Sequence, residues 1–154
     1  MLKGLDPLLS ADLLHALRAM GHGDVIVLVD ANFPARSVAR TTTMGTALSV
    51  AASLPSVARS ILSVLPLDTF EPGAVRRMEV VGAPLDVPAV QREVLALVED
   101  AAAENNDVRG YDRHAFYDMA GGAFVIVQTA ERRLYGCMAF VKGVIGGPDG
   151  GTTS

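Results

Sequence analysis

Apolar side chains recur at two spacings along this chain. In some segments they return every three to four residues, the spacing of one face of a helix, and in others they form short unbroken runs that are typical of buried strands. The helical spacing predicts helices over Ser10–Met20, Ala47–Leu65 (interrupted around Pro55), Pro88–Glu104 and Arg113–Ala120. The predicted strands are Val25–Val29, Arg77–Val81, Phe124–Thr129 and Tyr135–Val141. This alternation predicts a single α/β domain over residues 1–145, a central β-sheet with helices packed on it, and a flexible Gly-rich tail over 146–154.

The composition is that of one small domain with a sparsely charged surface. Of the 154 residues, 50% are hydrophobic and 19% are charged, and the mean hydropathy is +0.33. Such a surface favours association with other copies of the chain. The net charge of −4 argues against a nucleic-acid partner, which would require a basic face. No apolar run reaches the roughly 20 residues that a membrane span needs.

The N-terminus and the cysteine content favour a cytoplasmic protein. Residues 1–10 carry Asp6 and lack the apolar core of a signal peptide. Cys137 is the single cysteine, which excludes a disulfide within the chain and a cysteine-rich metal site. The histidines at positions 15, 22 and 114 lack the spacing of zinc ligands. We therefore expect neither a metal nor another cofactor.

The stretch Gly21-His22-Gly23-Asp24 carries the most informative chemistry. Its histidine lies between two glycines at a helix-to-strand junction, where glycine permits close approach of a ligand. Histidine exchanges protons near neutral pH, because its ordinary pKa is ~6.5. Asp30 ends the next strand, and open α/β sheets usually bind ligands at the carboxyl ends of their strands. Taken singly, His22, Asp24 and Asp30 are each more often ordinary turn or cap residues.

This stretch is the first of a series of short motifs that follow one another along the chain. Residues 30–35 read Asp-Ala-Asn-Phe-Pro-Ala. The further motifs are residues 2–4, 7–10 and 65–69, Arg113 with Phe116-Tyr117, Phe124, Glu131, Tyr135-Gly136, and residues 142–144. In this order they resemble the fucose mutarotase branch of the fucose mutarotase / ribose pyranase family. The resemblance spans roughly Met1 to Val144, essentially the whole predicted domain.

The resemblance implies a cofactor-independent isomerase that interconverts sugar anomers. In the family, the histidine of the Gly-His-Gly-Asp motif is the proton donor, which maps onto His22. The family's sugar contacts map onto Asp30, Arg113, Tyr135, Gly136 and Cys137. Asp24 and Tyr117 are candidate supporting residues of the same site. The resemblance also implies a ring-like homo-oligomer, commonly a decamer, with its sites at subunit boundaries.

Two departures from the family pattern concern the identity of the sugar. Cys137 replaces the usual asparagine, and cysteine lacks the strong donor and acceptor of an amide. Residues 39–45 read Ala-Arg-Thr-Thr-Thr-Met-Gly where the fucose branch tends to carry Ile-Arg-Ala-Asp-Gly. Gly23 and Arg113 nevertheless favour the fucose branch, since ribose pyranases tend to carry threonine and histidine at those positions.

Mutarotation opens a pyranose ring to the aldehyde and closes it again on the other face. We expect His22 to protonate the ring oxygen, while Asp30, or a water molecule held by Tyr135, takes the proton of the anomeric hydroxyl. L-Fucose is the expected substrate. The alternatives are a D-ribose pyranase-type exchange of pyranose and furanose forms, and a non-catalytic monosaccharide-binding module.

Overall fold

A computed structural model describes residues 1–101 and 107–146 of the chain. Within these residues the helices are α1 (Ala11–Ala19), α2 (Ala35–Val38), α3 (Leu54–Leu62), α4 (Ala89–Ala101) and α5 (Arg113–Gly121), with a single 3₁₀ turn at Ala39–Thr41. The strands are β1 (Val25–Val29), β2 (Leu48–Val50), β3 (Val75–Met78), β4 (Val108–Tyr111), β5 (Val125–Thr129) and β6 (Met138–Val141).

The described strands form one mixed sheet in the order β2-β5-β1-β6-β3-β4. Strand β6 is antiparallel to both of its neighbours, β1 and β3, and the other pairs are parallel. The remaining five strands therefore all run in one direction. We call the edge at which these five strands end the carboxyl edge, and the opposite one the amino edge. Because β6 runs the other way, it starts at the carboxyl edge.

Helices cover both faces of this sheet, which explains the unbroken apolar run of β1. Ile26 and Leu28 belong to a cluster with residues of α1, α3 and α4, and Val27 and Val29 belong to a smaller cluster with residues of α2 and α5. All four side chains are fully buried. A strand that is covered on both faces needs no alternation of polar and apolar residues. The predicted α/β class with a central sheet is therefore confirmed.

The helix predicted over Ala47–Leu65 is wrong in its first part. Leu48–Val50 form β2, which pairs with β5, and α3 begins only at Leu54. Ser53 caps α3, since its hydroxyl accepts a backbone amide of the first turn, and Pro55 lies within that turn, where a missing N–H is tolerated. Pro55 thus starts a helix instead of interrupting one.

The strand predicted over Tyr135–Val141 begins only at Met138. Tyr135 has a φ of 62°, a left-handed conformation that an extended strand cannot include. The strand predicted over Arg77–Val81 lies two to three residues earlier, at Val75–Met78.

Other differences concern elements that were missed or that end elsewhere. The sequence pattern missed β4 and α2, which are four residues long and show no clear periodicity. The helix predicted over Pro88–Glu104 is α4 as far as Ala101, and residues 102–104 lie outside the described residues, as does the predicted tail from residue 147 onwards. None of the helices in the described ranges is long and apolar enough to cross a membrane.

Candidate active site

The predicted site residues lie at two opposite edges of the sheet. His22 precedes β1 at the amino edge, and Asp30 follows β1 at the carboxyl edge. Five strand residues at about 3.3 Å each separate the two edges by roughly 16 Å. The residues of the predicted site therefore form two groups within one chain, each held by different loops.

The carboxyl edge carries an open pocket of about 290 Å³. Loops that follow β1, β3 and β4 and the loop that precedes β6 meet there, as expected where parallel strands end. The pocket is lined by Asp30, Asn32, Phe33, Met78, Val81, Arg113, Tyr117, Leu134, Tyr135 and Cys137. It brings together five of the residues that the sequence predicted, although they come from distant parts of the chain.

Asp30 is fixed at the base of this pocket. The residue is 6% exposed, and its Oδ1 accepts the backbone amides of Asn32 and Phe33, each at 3.0 Å. The Cys137 thiol lies 3.5 Å from the other oxygen, Oδ2. Burial, followed by the negative charge of Asp30, raises the pKa of the Cys137 thiol well above its ordinary value. The thiol therefore stays protonated and donates to Asp30.

Leu134 and Tyr135 form a turn that Gly136 follows, beside Asp30. The phenolic oxygen of Tyr135 accepts the backbone amide of Val81 at 3.2 Å, which ties the turn to the far side of the pocket. A Cβ on Gly136 would lie 2.9 Å from Cγ of Glu131 and 3.3 Å from Cβ of Asp30. Gly136 does not line the pocket. Its contribution to the site is the absence of a side chain, which lets Glu131 and Asp30 approach the backbone closely.

Arg113 opens α5 and faces the pocket beside Tyr117. Its Nε donates to the phenolic oxygen of Tyr117 at 3.2 Å, and its guanidinium lies 5.4 Å from the centre of that ring. The hydrogen bond to Tyr117 raises the pKa of Arg113 above its ordinary value, so Arg113 remains a cation. The Tyr117 ring in turn packs edge-on against Phe33 at 5.0 Å. The pocket thus presents a carboxylate, a guanidinium and aromatic surface together.

The amino edge carries a pair that sequence reasoning missed. His22 Nε2 lies 3.0 Å from Oδ1 of Asp68, whose side chain is 3% exposed while that of His22 is 45% exposed. Burial alone would raise the pKa of Asp68, but the hydrogen bonds from His22 and from the Phe70 amide keep it below its ordinary value. Asp68 lies within the motif at residues 65–69, to which the sequence assigns no catalytic role. The only sequence signal for Asp68 is a carboxylate within residues 66–69, a stretch that the sequence predicts as a turn.

The turn that carries His22 is tied to the end of β6. The Gly23 amide donates to the carbonyl of Lys142 at 2.8 Å, and Lys142 Nζ donates to the carbonyl of Met20 at 2.6 Å, where α1 ends. Asp24 accepts the Gly21 amide at 2.7 Å, so its carboxylate closes the turn. His22 is therefore presented on a well-anchored loop, half exposed.

The two edges suit two different tasks. A half-exposed histidine paired with a buried carboxylate can act as a general acid or base. A pocket with a buried carboxylate and a cation can bind hydroxyl groups by charge-assisted hydrogen bonds. Within residues 1–101 and 107–146, no three His, Cys, Asp or Glu side chains come together as ligands of a metal ion.

The sequence and the fold of this chain are similar to those of known mutarotases and of a candidate sugar-binding protein. The fucose mutarotase of Danio rerio is 36% identical over 149 residues, which cover 94% of this chain and 95% of that protein. The fucose mutarotase of Streptococcus pneumoniae, solved in complex with L-fucose, is 31% identical with a TM-score of 0.82, and the match covers 94% of this chain and 100% of that one. The crystal structure of Atu2016, a candidate sugar-binding protein, is 49% identical with a TM-score of 0.90 over 95% of this chain and 97% of that one.

These relatives confirm the predicted resemblance and the prediction of a mutarotase-like isomerase. The RbsD of Bacillus subtilis complexed with D-ribose, at 19% identity and a TM-score of 0.66, shares the fold. The family match extends from residue 3 to residue 145, so it includes both the His22 loop and the pocket. The chain belongs to the RbsD / FucU transport protein family.

Proposed function

We propose that this chain is a sugar mutarotase that interconverts the α and β anomers of L-fucose or a closely related monosaccharide, with His22 as the proton donor. The observation that carries the proposal is the 3.0 Å pair of His22 with the buried Asp68. Relatives named as fucose mutarotases, at 36% and 31% identity over nearly the whole chain, support the choice of reaction and sugar.

The chemistry requires two proton transfers and no redox step. When His22 as imidazolium gives its proton to the ring oxygen, the bond from that oxygen to the anomeric carbon breaks and the anomeric hydroxyl loses its proton. The resulting aldehyde group rotates about its bond to the neighbouring carbon. The hydroxyl that was the ring oxygen then attacks the other face of the carbonyl, which closes the ring as the other anomer. Asp68 stabilises the imidazolium and orients the ring through Nε2, which assigns Nδ1 of His22 to the substrate.

The pocket at the carboxyl edge is the proposed sugar site. Its volume of about 290 Å³ lies at the small end of ligand pockets, which suits a single monosaccharide. Asp30 and Arg113 would bind sugar hydroxyls, and the rings of Tyr117 and Tyr135 would face the apolar side of the sugar. The proton of the anomeric hydroxyl would be accepted in this pocket, by Asp30 or by a water molecule held by Tyr135.

The proposed donor and the proposed sugar site belong to different protomers. Since β1 alone spans roughly 16 Å, His22 does not reach a sugar bound beside Asp30 of its own chain. A second copy therefore has to bring its amino edge to the pocket. Exposed apolar side chains support such a contact on both surfaces: Phe70 (60% exposed) stands beside His22, and Val81 and Leu134 (each 69% exposed) line the pocket. The proposed assembly is a ring of protomers joined in this way.

The test is anomer exchange measured by NMR saturation transfer on a panel of sugars that includes L-fucose and D-ribose. We expect fastest exchange with L-fucose, and a His22→Ala variant that folds and binds L-fucose but exchanges it at least about 10²-fold more slowly. Unchanged exchange in His22→Ala would remove His22 from the mechanism. Fastest exchange with D-ribose would replace the sugar, and binding without exchange above the buffer rate would make the chain a monosaccharide-binding module.

A further inference from the structure

A polar side chain is enclosed beneath the pocket and has no part in the proton transfers described so far. Gln91, in the first turn of α4, is 0% exposed and ranks among the largest fully buried side chains of the described residues. Its neighbours on the inner face of α4, Val90 and Val94, are apolar members of the core. A buried amide at such a position is retained only where hydrogen bonds replace its lost contacts with water.

The amide nitrogen of Gln91 bonds two segments that line the pocket. It donates to the carbonyl of Met78 at 2.8 Å, where β3 ends, and to the carbonyl of Tyr135 at 2.9 Å. Its oxygen accepts from Nη1 of Arg77 at 3.4 Å, which orients the amide so that the nitrogen faces both carbonyls. One side chain thus joins α4 to the floor of the pocket at two points.

Tyr135 is the position at which such a bond matters most. Its φ of 62° is the single positive value among non-glycine residues described, and a side chain there is held against a local preference for other angles. The bond from Gln91 fixes its carbonyl, and the bond from the Val81 amide fixes its phenolic oxygen. The orientation of the Tyr135 ring in the pocket therefore depends on both ends of the residue.

Arg77 extends the same network to the rim. Arg77 is 8% exposed, and its guanidinium donates to the carbonyls of Pro84 at 2.6 Å and Asp86 at 3.2 Å, in the loop that also carries Val81. The loop at residues 79–87, the end of β3 and the Tyr135 turn are therefore held together by Gln91 and Arg77. The His22 pair lies at the other edge of the sheet and does not belong to this network.

We infer that Gln91 is a positioning residue that sets the Tyr135 turn, and thereby the affinity of the pocket for the sugar, without taking part in proton transfer. This inference rests on the proposed sugar site. It assigns to Gln91 an effect on KM, because the Tyr135 turn belongs to the sugar pocket. The proton donor His22 stands on a separate loop of another protomer, so kcat changes only if the water molecule held by Tyr135, and not Asp30, accepts the proton of the anomeric hydroxyl.

The experiment compares Gln91→Met with Val94→Ala. Methionine keeps the length and burial of the side chain but removes both bonds to the carbonyls, whereas Val94→Ala removes buried atoms from the same helix without touching the pocket. We expect Gln91→Met to raise KM for L-fucose about tenfold or more, and Val94→Ala to leave KM and kcat unchanged. In Gln91→Met, kcat stays within about threefold if Asp30 accepts the anomeric proton and falls further if the water molecule held by Tyr135 does. An unchanged KM in Gln91→Met, or an equal rise in Val94→Ala, overturns the inference.

Two further measurements keep the inference separate from folding defects and from the proposed function. If Gln91→Met does not fold, Gln91→Asn repeats the test, since its amide is too short to reach both carbonyls. If the wild-type chain neither binds nor interconverts L-fucose, the proposed function fails, and a crystal structure of the variant decides the inference. A displaced Tyr135 carbonyl supports it, and an unmoved Tyr135 with φ near 62° overturns it.

Discussion

Replacing Glu131 with glutamine should destabilise the fold at neutral pH but much less in acid. Glu131 is 5% exposed, and its carboxylate accepts the Leu54 amide at the start of α3 (3.2 Å) and Nε of Arg133 (3.0 Å). The hydrogen bonds from Arg133, opposed by burial, lower the pKa of Glu131 from 4.5 to about 2. The carboxylate therefore links the turn before β6 to helix α3, close to Gly136 and the pocket.

The magnitude and the sign follow from that pKa. A lowering of this size corresponds to about 3 kcal/mol at most, and the 45% exposure of Arg133 lets water screen the pair, so about 1–2 kcal/mol is expected at pH 7. Because the pKa is lower in the folded chain than in the unfolded chain, the stabilisation is complete well above pH 4.5 and declines as the pH falls towards 2.

The assay is urea unfolding of wild type and Glu131→Gln at pH 7 and pH 3, at one protein concentration, because assembly adds to apparent stability. At pH 3, less than about half of the difference measured at pH 7 should remain. Glu93→Gln is the matched control, since Glu93 bonds the same Arg133 at 2.8 Å but is half exposed. An equal loss in both variants, or a loss from Glu131→Gln that does not change with pH, would refute the reasoning.

Two other predictions concern the two edges of the sheet. Cys137 is 2% exposed with a raised pKa, so a thiol reagent such as DTNB should react with it only after denaturation, and rapid reaction in the native protein would contradict the buried, protonated thiol. Asp68→Asn should slow L-fucose exchange about 10²-fold or more while sugar binding, measured by calorimetry, stays within about twofold, because Asp68 acts through His22 at the amino edge. Weakened binding with unchanged exchange at saturation would instead place Asp68 in the sugar pocket.

Elements with strong local signals could be predicted from the sequence. Helix α1 has its leucines at helical spacing, and the Ser10 hydroxyl accepts the Leu13 amide at 3.2 Å as a cap should. Strand β1 is an unbroken aliphatic run between a glycine-rich turn and Asp30. In both segments the residues that define the element are neighbours in sequence.

Elements that depend on distant partners could not be predicted in this way. Strand β2 has three residues and exists because it pairs with β5. Strand β4 is a four-residue stretch, Val-Arg-Gly-Tyr, that pairs with β3. The late start of β6 reflects the left-handed backbone of Tyr135, which is held by Val81 and Gln91 from elsewhere in the chain. Such contacts leave no periodic signal in the local sequence.

The site, too, has residues that could be predicted from local motifs and contacts that only the fold reveals. The family motifs named Asp30, Arg113 and Tyr135, and the fold does bring them into one pocket. His22 stands only eight positions before Asp30 in the sequence, yet the strand between them puts it at the opposite edge of the sheet. Its partner Asp68 is 46 positions away, so only the fold could reveal the pair.

The claim that an active site is completed by a second protomer can be tested by mixing two inactive variants. His22→Ala keeps an intact pocket, and Asp30→Asn keeps an intact His22 pair, so each alone should exchange L-fucose at close to the buffer rate. When the two are co-expressed in equal amounts, about a quarter of the sites should combine a good pocket with a good histidine, and exchange should return to about a quarter of the wild-type rate. A mixture that stays as inactive as its components, under conditions in which wild type is active, would contradict the shared site.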